Sequence, residues 1–261
     1  MSRVLVTGAA SGLGAALVSA FRARGDEVLA TDRVGADGID LVLDITSDDD
    51  WAAALEAVRE RWGGLDVLVN NAGVAGGGRV DRCTLEEWQW ITDINLFGAV
   101  RGTRTFVPMM KRQGAGQIVN IASLAGLVHP AGMASYNAVK AGVVALSETL
   151  GFELAPWGID VSVVCPAFFR TNLHQSFAGK DTAMQEAGVR LITQATVGAD
   201  DVARIVLDGI EKRKPIILTD RMGRQAYFGK RFARPLYDRM MNGQAAKLAR
   251  RAGADPSELT R

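Results

Sequence analysis

Short runs of β-branched and other apolar residues alternate with longer amphipathic stretches along most of the chain. In order, these runs are Arg3 to Thr7, Glu27 to Thr31, Leu41 to Leu43, Leu65 to Asn70, Gln117 to Ala122, Ile159 to Cys165 and Pro215 to Thr219. Near-continuous apolar strands are typical of a parallel sheet that is buried on both faces, and helices between them form βαβ units. The alternation therefore predicts an α/β fold: a doubly wound parallel sheet of about seven strands with helices on both faces.

The stretches between the runs predict the helices. One follows the first strand through about Arg24, one begins at Ser47, and two long ones cover about 84–113 and 134–155. The acidic run 48–50 favours the positive N-terminal end of its helix. A chain of 261 residues that is 48% hydrophobic can bury a large core. Because neither a linker nor a repeat period interrupts the pattern, we expect a single domain.

The C-terminal part is basic and differs in character from the rest. Residues 211–261 carry 13 Lys and Arg against 5 Asp and Glu, and Phe228, Phe232, Leu236 and Met240 recur at near-helical spacing. Pro235 interrupts that stripe and is expected to bend or split the helix. Two interpretations stay open for residues 221–261: a helical extension packed on residues 1–220 or on a neighbouring subunit, or a basic amphipathic contact with a membrane surface.

Composition excludes several classes of protein. The formal charge of +1 argues against nucleic acid as a partner. Cys83 and Cys165 do not form a disulfide framework or a metal-ligand pattern, and His129 and His174 are too few for a histidine-rich metal site. We expect no metal. The sequence shows neither a secretory leader nor an apolar stretch long enough to span a bilayer, which predicts a soluble, cytoplasmic protein.

A glycine-rich turn, Thr7-Gly-Ala-Ala-Ser-Gly-Leu-Gly14, directly follows the first strand and opens the first helix. Glycines in this context let the backbone approach a pyrophosphate at the helix N-terminus. Asp32 ends the second strand, 18 residues beyond Gly14. A carboxylate there accepts hydrogen bonds from an adenosine ribose and repels a 2′-phosphate, which favours NAD over NADP. Arg33 leaves NADP possible, since a guanidinium can pair with that phosphate.

Tyr136 and Lys140 stand four residues apart, with Ser123 thirteen residues before the tyrosine. On a helix this spacing places a phenol and an ammonium on the same face. A cation close to the phenol is expected to lower its pKa from about 10 toward working pH. Ser123 could bind the same substrate oxygen. From this spacing alone, the simpler interpretation is an exposed tyrosine and lysine that do not act together.

Together, these motifs resemble those of the short-chain dehydrogenase/reductase (SDR) family over roughly residues 3–220. The TGxxxGxG turn is joined by Asn70-Asn-Ala-Gly73, which matches the family's NNAG motif, and by the YxxxK pair. Asn95 and Ser123 complete a catalytic tetrad with Tyr136 and Lys140. The segment from Pro166 to Thr171 resembles the one after the sixth strand, with Ala167 where the family often has glycine.

The resemblance implies a Rossmann-type dinucleotide-binding and catalytic domain over 1–220, extended by 221–261. It implies that Tyr136 exchanges a proton with substrate, that Lys140 lowers its pKa and holds the nicotinamide ribose, that Ser123 orients the substrate oxygen, and that Asn95 positions a water. The residues that it assigns to the cofactor are Gly8, Ser11, Gly12, Leu13, Gly14, Asp32, Arg33, Asp44, Ile45, Asn71, Ala72, Gly73, Tyr136, Lys140, Pro166, Phe169 and Thr171.

A mostly apolar set of side chains is expected beside the reaction centre, beyond the carboxyl ends of the strands. Its members are Ser123, Ala125, His129, Met133, Tyr136, Phe168 and Leu173. This predicts an oxidoreductase acting on a hydrophobic secondary alcohol or ketone (EC 1.1.1.-). An NADPH-dependent carbonyl reductase is the close alternative, and a non-catalytic dinucleotide-binding protein is a third. Residues 172–195 are expected to form a mobile lid. Relatives commonly pair through helices near 93–113 and 134–155, which predicts a homodimer or homotetramer.

Overall fold

The computed structural model describes residues 1–251, with side chains to residue 250. Its strands are β1 (Arg3–Thr7), β2 (Glu27–Asp32), β3 (Leu41–Val42), β4 (Val67–Asn70), β5 (Gly116–Ile121), β6 (Ile159–Cys165) and β7 (Ile216–Leu218). Its α-helices are α1 (Gly12–Ala23), α2 (Asp48–Trp62), α3 (Leu85–Thr92), α4 (Gly98–Gln113), α5 (Ala125–Val128), α6 (Ala134–Leu154), α7 (Thr182–Thr193), α8 (Ala199–Glu211), α9 (Arg221–Phe232) and α10 (Arg234–Arg251).

The strands form one parallel sheet in the order β3-β2-β1-β4-β5-β6-β7. The chain leaves β1 toward one edge and later returns to place β4 on the other side of β1. The order therefore reverses between β1 and β4, which is where open α/β sheets bind ligands beyond the carboxyl ends of their strands. The predicted seven-stranded Rossmann sheet is confirmed.

Alternating side chains of the strands build a core on each face of the sheet. Val4 and Val6 of β1 point to the layer that contains Phe21 of α1. Leu5 between them points to the opposite layer, which contains Trp51 of α2. All four apolar side chains named for β1 and α1 are fully buried. Because the strands are buried on both faces, their sequences are nearly continuous apolar runs.

The long helix predicted over about 84–113 is wrong in one respect, because three elements occupy it. A capping box between Thr84 and Glu87 starts α3. A π-helical turn, Asp93–Phe97, separates α3 from α4. Such wide turns often mark functional sites. Here the turn carries Asn95, which is buried.

The basic extension forms two helices, and their junction lies at Ala233. Pro235 occupies the first turn of α10, where its missing N–H costs little. The predicted split of the apolar stripe is thus confirmed. Residues 252–261 of the predicted extension lie outside the described residues. Within residues 1–251, none of the helices is both long and apolar enough to cross a membrane.

Candidate active site

The glycine turn after β1 is crowded on its inner side. Gly8 and Gly12 have φ angles of +68° and +57°, which favour glycine over any other residue. At Gly14 a side chain would place its Cβ 2.0 Å from the carbonyl oxygen of Gly8. The turn therefore requires these three glycines to keep its shape at the N-terminus of α1.

Asn71 locks this turn to the end of β4. Its Nδ2 donates to the carbonyl oxygens of Thr7 (2.8 Å) and Gly8 (3.2 Å). The backbone N–H groups of Asn71 and Ala72 both donate to Thr7 Oγ1 at 3.0 Å. Asn71 thus acts on the turn backbone, a role that its motif alone does not reveal.

Asp32 and Asp44 lie at the ends of neighbouring strands. Asp32 Oδ2 accepts a hydrogen bond of 3.0 Å from the N–H of Ala10, within the glycine turn. Asp44 accepts from the N–H and the hydroxyl of Thr46, and these bonds lower its pKa from the ordinary value. The exposed Arg33 also lowers the pKa of Asp44, so its cation is close to this carboxylate.

Two apolar residues of the predicted cofactor set belong to the core. Ile45 packs with Trp51, which donates from Nε1 to the carbonyl oxygen of Ile45 at 3.1 Å. Leu13, on α1, is buried in the opposite layer together with residues of β1. Ser11, by contrast, is exposed at the N-cap of α1. The side chains of Ile45 and Leu13 therefore stabilise the fold.

Ser123, Tyr136 and Lys140 come together at the carboxyl end of β5. Lys140 Nζ donates to the carbonyl oxygen of Ile121 at 2.9 Å and lies 5.8 Å from the centroid of the Tyr136 ring. Ser123 hydrogen-bonds the Tyr136 side chain and accepts at Oγ from the N–H of Ala125 at 3.1 Å. Tyr136 and Lys140 are both buried.

Burial changes the predicted electrostatics of this pair. Desolvation raises the pKa of Tyr136 to about 12, and the hydrogen bond from Ser123 offsets only part of the rise. Desolvation also lowers the pKa of Lys140 to about 8. The expected lowering of the tyrosine pKa is therefore wrong for the chain by itself, because burial penalises the charged form of both groups. At neutral pH Tyr136 is a protonated phenol.

Asn95 is bound at both ends of its amide to one residue of the loop after β4. Its Nδ2 donates to the carbonyl oxygen of Val74 at 3.0 Å, and its Oδ1 accepts from the Val74 N–H at 2.9 Å. A Cβ at Gly73 would come within 2.6 Å of Asn95 Oδ1 and 3.8 Å of Lys140 Nζ. Asn95, Gly73 and Lys140 are thus neighbours, as the family pattern implies.

The segment after β6 returns to the glycine turn. A Cβ at Gly12 would lie 2.5 Å from Thr171 Oγ1, so these two predicted cofactor residues face one another. The Pro166 carbonyl oxygen accepts from the N–H of Leu124 at 2.8 Å, which ties this segment to Ser123. Phe169 packs on the core, whereas Phe168 is exposed.

Apolar side chains surround Tyr136, and two distant helices, α7 and α10, approach the loop that precedes it. Ala125 is buried in one cluster with Tyr136, and Met133 packs against that cluster. A Cβ at the neighbouring Gly132 would come within 2.6 Å of Met184 Sδ on α7 and 3.0 Å of Leu248 Cδ2 on α10. Met184 and Leu248 were not predicted, because nothing in the local sequence brings α7 and α10 to this loop.

His129 contacts the extension as well as its own loop. One ring nitrogen lies 3.0 Å from the Gly126 carbonyl oxygen and the other 2.7 Å from Lys230 Nζ of α9. Burial and the Lys230 cation lower the pKa of His129, so the ring is neutral at pH 7. Its predicted contact with substrate stays a prediction.

The predicted lid, residues 172–195, is hydrogen-bonded to the loop after β4. Asp181 is buried and accepts from Arg79 through the backbone N–H (3.0 Å), Nε (2.8 Å) and Nη2 (3.0 Å). Arg79 lowers the pKa of Asp181. Ser176 Oγ accepts from the N–H of Ala75 at 2.8 Å, next to Leu173, whose carbonyl oxygen accepts from the Ser176 hydroxyl. The mobility of this segment stays a prediction.

Within residues 1–251, no group of three or more histidine, cysteine or acidic side chains is arranged to hold a metal ion.

Comparison with known proteins gives one family. Residues 2–181 match the family model described as short chain dehydrogenase. The chain is 34% identical over 215 residues to the 3-oxoacyl-[acyl-carrier-protein] reductase of Escherichia coli, covering 77% of this chain and 86% of that one. It is 37% identical over 180 residues to a 3-alpha-(or 20-beta)-hydroxysteroid dehydrogenase of Mycobacterium tuberculosis, covering 65% and 69%.

Solved structures agree with the fold. A short-chain dehydrogenase/reductase from Burkholderia phymatum, in complex with NAD, has a TM-score of 0.78 at 30% identity, covering 84% of this chain and 88% of that one. A short-chain dehydrogenase from Sphingobium yanoikuyae, in complex with NADPH, has a TM-score of 0.70 at 29% identity, covering 84% and 87%.

Proposed function

Because this chain belongs to the short-chain dehydrogenase family, we propose that it transfers a hydride between a nicotinamide cofactor and a neutral, hydrophobic secondary alcohol or ketone. The observation that carries the proposal is the meeting of Ser123, Tyr136 and Lys140 at the carboxyl end of β5. This is a protonated phenol with a hydroxyl and an ammonium beside it, at the edge of the sheet where such folds bind ligands.

The residues around the glycine turn fit a dinucleotide. Gly8, Gly12 and Gly14 leave the backbone bare at the N-terminus of α1, where a pyrophosphate is stabilised by N–H groups and the helix dipole. Asp32 would accept hydrogen bonds from the hydroxyls of the adenosine ribose, and Thr171 would bind the nicotinamide end of the cofactor. When bound, the nicotinamide supplies or accepts the hydride.

The chain's own groups would handle the proton. In ketone reduction, Tyr136 donates its phenolic proton to the carbonyl oxygen as the hydride reaches the carbonyl carbon; in alcohol oxidation both transfers reverse. Ser123 donates to the same oxygen and stabilises its developing charge. Lys140 donates one N–H to the Ile121 carbonyl oxygen. Its other two N–H donors can bind ribose hydroxyls and stabilise the phenolate of Tyr136.

The surroundings of the phenol support a neutral, apolar substrate. Met133, Met184 and Leu248 meet around Gly132. Two nearby cations are already engaged: Arg79 binds Asp181, and Lys230 of α9 binds the Leu127 carbonyl oxygen. The two curated relatives, by their names, act on an oxoacyl chain and on a hydroxysteroid. A substrate carboxylate would lose its hydration among these apolar side chains, which is costly.

We therefore expect neutral secondary alcohols and ketones to be turned over with a kcat/KM at least tenfold above that of carboxylated compounds of the same size. The measurement is a substrate panel followed by absorbance of the reduced nicotinamide. Leu248→Asp should lower kcat/KM for the neutral compounds, while Ala246→Asp, exposed on the same helix, serves as the control. Equal rates for neutral and carboxylated compounds would contradict the apolar site.

The cofactor is proposed to be NAD, with kcat/KM at least tenfold higher than for NADP, because Asp32 would face a 2′-phosphate. Asp32→Ala should reduce that ratio, whereas Asp37→Ala removes an exposed carboxylate from the same loop region and should not change it. A tenfold preference for NADPH would instead favour the alternative of an NADPH-dependent carbonyl reductase, in which Arg33 binds the phosphate.

We also propose a cytoplasmic homodimer or homotetramer that pairs through α4 and α6. Large apolar side chains are exposed there: Phe97 before α4, Phe152 on α6 and Trp157 just after it. Their burial by a second subunit would account for their exposure on a single chain.

A further inference from the structure

Helix α9 packs on the domain through Tyr227, which contacts the core cluster that contains Leu127, and through small and polar residues. Gly223 lies against Leu124, whose Cδ2 would be 3.1 Å from a Cβ at that position. Lys230 Nζ donates to the Leu127 carbonyl oxygen at 2.6 Å. At the start of α10, Tyr237 is buried. These contacts define the inner side of the α9–α10 pair.

Several large apolar side chains of the pair are exposed instead of buried. With about 100° between successive helical residues, Phe228 and Phe232 lie on the side of α9 opposite to Gly223 and Lys230. Their rings stack with centroids 6.2 Å apart, and Phe232 is 76% exposed. Leu236 (70%) and Met240 (46%) continue the exposed apolar residues along α10. This arrangement does not serve the core of the chain.

Cations border this apolar surface. Arg221, Arg224, Gln225 and Phe228 line a shallow depression of about 580 Å³. The guanidinium of Arg231 lies 5.9 Å from the centroid of the Phe232 ring. Residues 221–251 contain nine Lys and Arg and a single acidic residue, Asp238. The surface therefore combines exposed aromatic rings with a strong positive charge.

The positive charge of this surface distinguishes between the partners that could cover it. A second copy of the same surface would bring two sets of arginines together, and their repulsion opposes that pairing. Nucleic acid would match the charge, yet aliphatic side chains such as Leu236 and Met240 offer it little. An anionic bilayer matches both properties, since headgroups attract arginines and the interface accepts aromatic and aliphatic side chains.

We propose that α9 and the first turns of α10 bind the surface of membranes rich in anionic phospholipid. Phe228 and Phe232 enter the boundary between headgroups and acyl chains, and Arg221, Arg224 and Arg231 contact the headgroup phosphates. The contact is peripheral, because α9 has only 12 residues and α9 lies along the domain rather than away from it. This inference does not depend on the reaction that the domain catalyses.

Co-sedimentation of the full chain with vesicles tests the proposal. We expect binding to vesicles of mixed phosphatidylcholine and phosphatidylglycerol, little binding to phosphatidylcholine alone, and weaker binding at high salt. Neutralising two cations in Arg221→Gln/Arg224→Gln should lower the partition coefficient about 30-fold. Phe228→Ser/Phe232→Ser should lower it about tenfold or more, because two buried rings are lost. Neither pair is placed in the active site, so turnover of a small water-soluble substrate should not change.

Matched variants on other surfaces separate this site from general stickiness. Arg61→Gln/Arg204→Gln removes two exposed cations from α2 and α8, and Val80→Ser/Leu85→Ser removes two exposed apolar side chains; neither should alter the partition. Three results would overturn the proposal. The first is equal vesicle binding by all variants. The second is a lower molar mass in solution for Phe228→Ser/Phe232→Ser than for the wild type, which would indicate that a second copy covers this surface. The third is binding of the wild type to duplex DNA without binding to anionic vesicles.

Discussion

Tyr136→Phe is expected to lower kcat by roughly 10²–10⁴-fold, the range that a positioned acid or base contributes. The phenol is protonated at neutral pH, since burial raises its pKa to about 12, and it is hydrogen-bonded by Ser123. A phenylalanine ring fills the same place in the apolar cluster with Ala125 and Met133. Removing one oxygen therefore removes the proton donor and leaves the packing. The measurement is single-turnover hydride transfer at saturating cofactor.

Cofactor binding separates this loss from unfolding. The Tyr136→Phe protein should bind the nicotinamide cofactor within a few fold of the wild type, measured by fluorescence titration, because Gly8, Asp32 and Lys140 are unchanged. Tyr227→Phe on α9 is the matched control and should keep full turnover. Retained turnover by Tyr136→Phe would show that another group carries the proton.

The sequence predicted which residues meet at the site better than it predicted their electrostatics. The four-residue spacing of Tyr136 and Lys140 places them on one face of α6 because helical geometry is local. The pKa of Tyr136 depends on burial by residues such as Ile91 of α3 and Ala125 of α5, which come from other elements. Spacing does not measure that desolvation, so the predicted direction of the shift in the Tyr136 pKa was wrong for the chain by itself.

Contacts between distant segments were the other feature that local patterns did not reveal. Asp181 binds Arg79 from 102 residues away, and Leu248 reaches Gly132 from the far end of the chain. Similarly, the pattern over about 84–113 predicted one continuous helix and did not mark the π-helical turn that carries Asn95. The apolar alternation predicted the parallel sheet of about seven strands well, because near-continuous apolar strands that alternate with helices form βαβ units.

Gly14→Ala is expected to raise the dissociation constant for the cofactor and to lower kcat/KM roughly 100-fold, since a misplacement of about 1 Å can cost that much in rate. The added Cβ would lie 2.0 Å from the carbonyl oxygen of Gly8 and 2.6 Å from Asn71 Nδ2. Backbone cannot rotate away as a flexible side chain can, so the turn must shift. Asn71 would then lose its bonds to Thr7 and Gly8. Overpacking of this kind also destabilises a fold by about 1–3 kcal/mol.

Gly243→Ala is the control for the added methyl group. Gly243 lies within α10, and a Cβ there would meet no atom within 4 Å. This variant should keep the wild-type dissociation constant and gain about 0.5–1 kcal/mol of unfolding free energy, because alanine favours a helix over glycine. Titration of both variants with NAD, together with thermal unfolding with and without cofactor, gives the two quantities. If Gly14→Ala bound cofactor as tightly as Gly243→Ala, the glycine turn would not be the pyrophosphate site, and the dinucleotide would have to lie elsewhere along the sheet.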